Sequence, residues 1–218
     1  MSEFEITPRN KVRRLADRAS YDAEAVYAVI DAAPVCHVAF IVDGQPFSIP
    51  TQHARIGNTL LLHGSPGSRL IRHVQSGLPL CISFVLVDGL VVARSIFHHS
   101  INYRSAVVFG TGHKVEGTDG LLEALHAFAE KILPGRWDEA RRPSPEELRV
   151  TAAVAIEIES ASLKQRAGDP GDDAEDLDLP IWAGLVPLRP AAGPAESRAD
   201  QPVPASVQAY LKALDGGL

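Results

Sequence analysis

Leu80-Cys81-Ile82-Ser83-Phe84-Val85-Leu86-Val87 is an apolar, β-rich run, and after Asp88-Gly89 a second one follows, Leu90-Val91-Val92-Ala93-Arg94-Ser95-Ile96-Phe97. Two such runs joined by Asp-Gly predict a two-residue hairpin, because its turn needs positive φ at both central positions and these residues tolerate it. The hairpin sets the class as antiparallel β, and the pattern continues on both sides. Upstream, strands are expected over 35–42, 45–49, 53–56 and 59–63, with Asp43-Gly44 and Gly57-Asn58 as turns and Pro50 as a break. Downstream, 103–116 reads as a strand in which Gly110 and Gly112 mark a bulge or tight bend, as a curved or closed sheet requires. A long strand over 150–161 alternates Ala152, Val154, Ile156 and Ile158 with Thr151, Ala153, Ala155, Glu157 and Glu159, so one face is expected buried and the end of the other wet.

Helices fall at the margins. Ala23, Val26, Val29, Ile30 and Ala33 form one apolar face of a helix that stops at Pro34, and Ser68 opens another that runs to about Gln75. Thr118 is expected to cap a third, with Leu121, Leu122, Leu125, Phe128, Ala129 and Ile132 at helical spacing before Pro134-Gly135. Short helices are expected near 145–148 and 205–214. Helices are too few for the crossovers of a parallel sheet, which sets aside a dinucleotide fold. The expected class is therefore mainly β (α+β), an antiparallel curved sheet or small barrel with peripheral helices. Residues 1–188 form the domain, and 189–218 a Pro/Ala-rich tail.

The bulk numbers narrow the function classes. A hydrophobic share of 45% with 22% charged residues is that of a soluble globular protein. No apolar run reaches the roughly 18 residues of a membrane span. An acidic start, Met1-Ser2-Glu3-Phe4-Glu5, does not resemble a signal peptide, so a cytoplasmic location is expected. Cys36 and Cys81 sit in apolar strands as buried small hydrophobes. A formal charge of −6 disfavours nucleic acid and leaves room for a compact phosphorylated ligand.

Three segments offer such a ligand partners, and each has a plainer reading. In Leu62-His63-Gly64-Ser65-Pro66-Gly67-Ser68-Arg69 a strand breaks into a small-residue loop at a helix start, where free backbone N–H groups, Ser65, Ser68 and Arg69 suit a phosphate. The same residues also read as an ordinary connection with Ser68 as N-cap. Arg94-Ser95 and Asn102-Tyr103-Arg104-Ser105 are phosphate or ribityl-type partners, or solvated residues at a strand boundary. Alternation puts Tyr103 and Ser105 on one face and Asn102 and Arg104 on the other. Pro50 frees neighbouring backbone groups for a planar heterocycle, or simply marks an edge strand.

Classical side-chain chemistry is absent from the pattern. The eight histidines, His98-His99 included, show no metal-ligand spacing, so no metal is expected. No nucleophile elbow occurs, and Asp172, Asp173, Asp176 and Asp178 read as a solvated charge run in a linker. If the chain is an enzyme, a cofactor carries the chemistry.

Ile49-Pro50-Thr51, Leu62-His63-Gly64-Ser65, Asp88-Gly89-Leu90-Val91, Ala93-Arg94-Ser95, Asn102-Tyr103-Arg104-Ser105 with Gly110, Lys164-Gln165-Arg166 and Pro180-Ile181-Trp182-Ala183-Gly184 occur in that order. In these residues the chain resembles the pyridoxamine 5′-phosphate oxidase-related, flavin-binding split-barrel proteins, and within them the nitroimidazole-resistance reductase and flavin-nucleotide-binding branch. The resemblance covers about Arg9 to Leu188. It implies a homodimer of split barrels with two FMN sites at the subunit interface, each built from both chains. It further implies Gly64, Ser65, Ser68 and Arg69 at the FMN phosphate and Pro50, Thr51 and His63 toward the flavin ring. Arg94, Ser95, Asn102, Tyr103, Arg104 and Ser105 join from nearby strands, some from the partner, and Lys164, Arg166 and Trp182 close the site.

His63 is the positional match to a histidine that takes part in the reductase branch, as substrate contact or proton donor; the plainer reading is a strand-end histidine bonded to backbone. The C-terminal arginine pair of authentic pyridoxamine phosphate oxidases is missing, since that region reads Arg189-Pro190-Ala191-Ala192-Gly193-Pro194. The leading expectation is therefore an FMN-dependent oxidoreductase acting on an unidentified small molecule, nitroaromatics among the candidates. A noncatalytic flavin-storage protein and a haem-binding split barrel, with His63 or His98 as the axial histidine, are the alternatives.

Overall fold

The computed structural model describes residues 3–215. In chain order the elements are β1 (Ala19–Ser20), α1 (Ala23–Ala32), β2 (Cys36–Val42), β3 (Gln45–Thr51), β4 (Ala54–Ile56), β5 (Thr59–Gly64), α2 (Arg69–Gln75), β6 (Leu80–Val92) and β7 (Ser100–Gly110). They continue with β8 (Gly112–Lys114), α3 (Gly117–Ile132), α4 (Arg136–Glu139), α5 (Pro145–Arg149), β9 (Ala152–Glu157), β10 (Ser160–Arg166), β11 (Gly184–Pro187) and α6 (Ala205–Asp215). All strand pairings between them are antiparallel. One sheet has the order β1-β10-β7-β6-β2-β3, with β11 also on β6, and the other β4-β5-β9-β8.

Two layers of burial explain the packing. Val38, Phe40, Ile82, Phe84, Ala106 and Val108 of the first sheet face Leu60, Leu62, Val154 and Ile156 of the second, with α1 and α2 adding Val26, Ile30, Ile71 and Val74 to the same core. Ala54, Leu61, Ala153 and Ala155 on the other side of the second sheet are sealed by Ala124 and Phe128 of α3. The outward side of the first sheet stays open, with Ile41, Val85 and Val87 exposed.

The Asp88-Gly89 hairpin expected from sequence does not form. β6 runs straight through it with a bulge between Val87 and Gly89, and the chain turns back only after Val92, through a 3₁₀ turn at Ile96–His98. Gly89 is held between β7 and β11, and a Cβ there would lie 3.0 Å from the Val186 carbonyl oxygen, so the glycine admits a neighbouring strand instead of making a turn. Two-residue turns form instead at Asp43-Gly44, with φ of 50° and 75°, joining β2 to β3, and at Gly57-Asn58, joining β4 to β5, as expected. Pro50 does not break its strand: β3 is the edge of the sheet, where a missing donor costs no ladder bond.

Two further expectations change. The strand over 150–161 divides into β9 and β10 because at Ile158-Glu159 the chain leaves the second sheet for the first; α3 covers Ala153 and Ala155, and the far end of that face, Glu157 and Glu159, meets water as expected. Thr118 lies inside the first turn of α3, whose cap position is Glu116, without a side-chain cap bond. The bend at Gly110 and Gly112 is present, and it carries the chain from the first sheet to the second. At the far end, α6 meets α4, where Ser206 donates from its N–H (3.0 Å) and hydroxyl to the Glu139 carboxylate. No described helix is long and apolar enough to cross a membrane.

Candidate functional site

Strand register gathers part of the predicted set on one surface. His37 pairs with Pro50 and Ser83, and Ser83 with Val107, which aligns these side chains on the outward face of the first sheet. On the same face Tyr103 lies between Val87 and Arg166, and Ser105 between Val85 and Lys164. Pro50, Tyr103, Ser105, Lys164 and Arg166 thus share an open surface of small and apolar residues. Thr51 alternates inward, opposite Cys36. The Ser105 hydroxyl donates to the Lys164 carbonyl at 3.0 Å, and Lys164 Nζ to the Arg14 carbonyl at 2.8 Å, which fixes the edge of the surface.

A second group forms where β5 ends. Gly64 and Ser65 lead to Ser68, whose N–H donates to the Ser65 carbonyl at 2.9 Å and whose Oγ accepts from Ile71 N–H at 3.2 Å. Ser68 is thus an N-cap, as the plainer reading holds. Arg69 lies with its guanidinium 4.1 Å from the centroid of the Phe47 ring, and beside it Gly67, Arg72, His73, Ser76 and Leu78 line a cavity of about 560 Å³. Among the described residues neither Arg69 nor Arg72 forms an ion pair, so both cations are available to an anion. Arg72 was not among the predicted residues; its signal was the i,i+3 spacing from Arg69 on one short helix.

The other predicted arginines, Arg94, Arg104 and Arg166, are engaged inside the chain. Arg104 makes a bidentate pair with Asp88, at 3.0 and 2.6 Å, and so braces the bulge in β6. Arg94 donates from its backbone N–H (2.7 Å) and its guanidinium (2.8 Å) to Asp172, whose side chain is only 4% exposed. Burial alone would push the Asp172 carboxyl up, but the N–H, guanidinium and charge of Arg94 outweigh it and hold it below the usual carboxylate range. Asp173 meets His98 Nε2 at 3.0 Å, Asn102 donates to the Gly168 carbonyl at 3.2 Å, and Arg166 donates to Asn102 Oδ1. Asp172 is therefore buried and paired, and Asp173, though largely exposed, is paired with His98, so neither is an unengaged linker charge. They latch the segment after β10 onto the turn between β6 and β7. Ser95 caps that turn, accepting from Phe97 N–H at 3.3 Å, and Trp182 is largely exposed, its ring edge close to Gly184.

His63 stands apart from the open surface. Paired with Ala153, it projects from the side of the second sheet that faces α3, with its ring 4.3 Å from Phe128. Its Nδ1 is buried without a partner, and burial pushes its pKa down, so the ring is neutral at pH 7. His53, His73 and His99 do bond to backbone, through the Ile30 carbonyl at 2.8 Å, the Pro79 carbonyl at 3.3 Å and the Ser95 carbonyl at 3.0 Å. Ala153 also lines a cavity of about 700 Å³ between α3, α5 and β9, whose wall includes Lys114, Thr118, Leu121, Leu148 and Arg149.

The two histidines set a pH dependence. His53 and His63 both have lowered pKa in the fold through burial, whereas in the unfolded chain they titrate near the ordinary 6.5. The folded state then binds fewer protons, so their contribution is complete above pH 6.5 and is lost as pH falls from there toward the lowered values. Urea midpoints at pH 8 and 5.5 are expected to show a clear drop at the lower pH, and equal midpoints would refute the neutral burial.

A family model described as pyridoxamine 5′-phosphate oxidase matches residues 22–165. Among solved structures, the chain is similar to the flavocytochrome Anf3 from Azotobacter vinelandii, at 35% identity and a TM-score of 0.86 over 93% of this chain and 96% of that one. It is similar at 36% identity and a TM-score of 0.83 to the FAD and haem binding protein from Mycobacterium smegmatis, over 88% and 96% of the two chains. A protein described as a 5-nitroimidazole antibiotic resistance protein, from Bacteroides thetaiotaomicron, shares the fold at 20% identity and a TM-score of 0.58, over 67% and 85%. No curated protein matches the chain. With a family match across most of the barrel and more than a third identity to two structures along nearly their whole length, the chain belongs to the pyridoxamine 5′-phosphate oxidase family and has its antiparallel split barrel.

Proposed function

We propose that this protein is a homodimeric oxidoreductase that binds both a flavin nucleotide and haem and exchanges electrons with a small molecule. The observation that carries the reading is the identity of 35% and 36%, over most of both chains, to a flavocytochrome and to an FAD and haem binding protein. The resemblance in sequence implied FMN; the flavin named for the M. smegmatis relative is FAD, and FAD is taken as the flavin here.

The residues present fit both groups. Arg69 and Arg72 offer unpaired guanidinium groups at a loop of small residues, the donor set that a flavin phosphate requires. The outward face of the first sheet offers Pro50, Tyr103 and Ser105 over a small, apolar floor, which a second protomer would enclose and dry, with Lys164 and Arg166 held at its edge by the Arg14 carbonyl and Asn102. His63, its pKa lowered by burial and its ring Nδ1 buried without a partner, would be the residue to hold the haem iron. Flavin and haem supply the electron transfer, and the protein binds and orients them and excludes water. With Arg189-Pro190 and a Pro/Ala-rich run in place of a substrate-gripping arginine pair, pyridoxamine phosphate is not the substrate proposed.

The absorption spectrum of freshly purified protein, followed by heat release and chromatography, tests this directly. Flavin bands and a Soret band are expected, with FAD as the released flavin. FMN alone would restore the mononucleotide, and a colourless protein that takes up neither group would overturn the reading. Steady NAD(P)H turnover with an acceptor separates an enzyme from a storage protein, which holds flavin without consuming reductant. Arg69→Ala is expected to weaken flavin binding roughly ten- to a hundredfold, since a charged hydrogen bond contributes about 1.5–3 kcal/mol. Unchanged affinity in a flavin titration would move the phosphate elsewhere.

A further inference from the structure

We infer that two copies of this chain interlock through the outward face of the first sheet, Ile96 and Phe97 of each copy seating in an apolar cavity at the far end of the other copy's sheet. The inference rests on the homodimer proposed above and specifies its geometry. Ile96 and Phe97 are 83% and 87% exposed, at the tip of the turn between β6 and β7. Two large apolar side chains side by side in water call for a partner. At the opposite end of the same two strands lies an open cavity of about 550 Å³, lined by Ala39, Ile41, Leu78, Pro79, Cys81 and Phe109. Phe109 is nine residues along β7 from Ser100, about 30 Å from the turn, so no loop of the same copy reaches from one to the other.

Symmetry selects the arrangement. Two identical sheets packed face to face are related by a two-fold axis in the interface plane. If that axis ran along the strands, turn would meet turn and both cavities would stay empty. If it runs across the strands, each turn meets the other copy's cavity, and both contacts form twice. Val85 and Val87, exposed between the turn and the cavity, then pack against the partner sheet. The face is five strands wide, β3, β2, β6, β7 and β10, and at about 4.8 Å per strand and 3.3 Å per residue it spans on the order of 500 Å² of plane. With its corrugation and the inserted turn, that approaches the roughly 800 Å² per partner of a standard interface. At the cavity rim, the guanidinium of Arg9 lies 5.0 Å from the centroid of Phe109 and offers a cation to an incoming aromatic ring.

Cysteine cross-linking of the full-length protein tests the contact, because Cys81 already lines the cavity while Cys36 is fully buried. Phe97→Cys, oxidised with copper phenanthroline, is expected to give a covalent dimer that disappears when Cys81→Ser is added. The unsubstituted protein is expected to give none. Ile96→Asp with Phe97→Asp, both at exposed positions that leave the fold intact, is expected to weaken the dimer roughly tenfold or more in sedimentation. A dimer that gives no cross-link overturns the inserted turn and leaves the homodimer standing, with the cavity free for another occupant such as the flavin ring. A cross-link that survives Cys81→Ser joins turn to turn and overturns the axis across the strands. A monomer under all conditions removes the homodimer itself.

Discussion

Gly110→Ala is expected to destabilise the protein by about 3 kcal/mol or more, the upper end of what a forced contact in a packed interior costs. At this position the chain ends β7 and crosses to the second sheet, against β9. A Cβ on Gly110 would lie 2.1 Å from the Glu157 carbonyl oxygen and 3.2 Å from its carbonyl carbon. Neither atom can rotate away as a side chain would, because both belong to the backbone of β9. Relief requires the two sheets to move apart, which opens the core around Ile156 and Val108. Gly112 is placed similarly, with a Cβ 2.4 Å from Val74 Cγ1 and 2.8 Å from the Ala155 carbonyl oxygen. Gly171→Ala, where nothing lies within 4 Å of the added atom, is the control and is expected to stay within about 0.5 kcal/mol. Urea unfolding of Gly110→Ala and Gly171→Ala reads the difference. A midpoint for Gly110→Ala equal to that of the control would show that the crossing is not close-packed.

His63→Ala is expected to abolish the Soret band while leaving the flavin bands, the largest functional change expected from one substitution. The reason is position. His63 projects from the α3 side of the second sheet, whereas Pro50, Tyr103, Ser105, Lys164 and Arg166 lie on the outward side of the first. Two sheet layers, about 10 Å apart, separate these faces within one chain. Removing the imidazole therefore withdraws a neutral nitrogen from one face and leaves the other intact. His98→Ala is the contrast: it is paired with Asp173 and is expected to keep its haem. Flavin lost together with haem would tie both groups to one site, and a Soret band unchanged in His63→Ala would remove His63 as the ligand.

Much of this architecture is local and could be read before folding. Apolar periodicity placed α1 and α3, Ser68 announced α2 as its N-cap, and paired glycines marked the crossing at Gly110 and Gly112. Alternation separated Tyr103 and Ser105 from Asn102 and Arg104 before any register was known. The failures share a cause. Asp88-Gly89 carries every local mark of a turn, yet β11, nearly a hundred residues later, holds it extended. Asp172 and Asp173 look like a linker because the arginine and histidine that bind them lie 78 and 75 residues away. The resemblance put His63 toward the flavin ring, and alternation by itself does not tell which face of its strand α3 covers.

The sequence by itself determined the antiparallel class, the helix starts and the bend between the sheets, because each depends on residues within about one turn or one strand of each other. Tertiary structure alone decided which arginines are neutralised, which face each histidine occupies and where β6 turns back. Those outcomes depend on charges, rings and backbone edges brought together across separations of 16 to about 100 residues, and no local pattern records such distances.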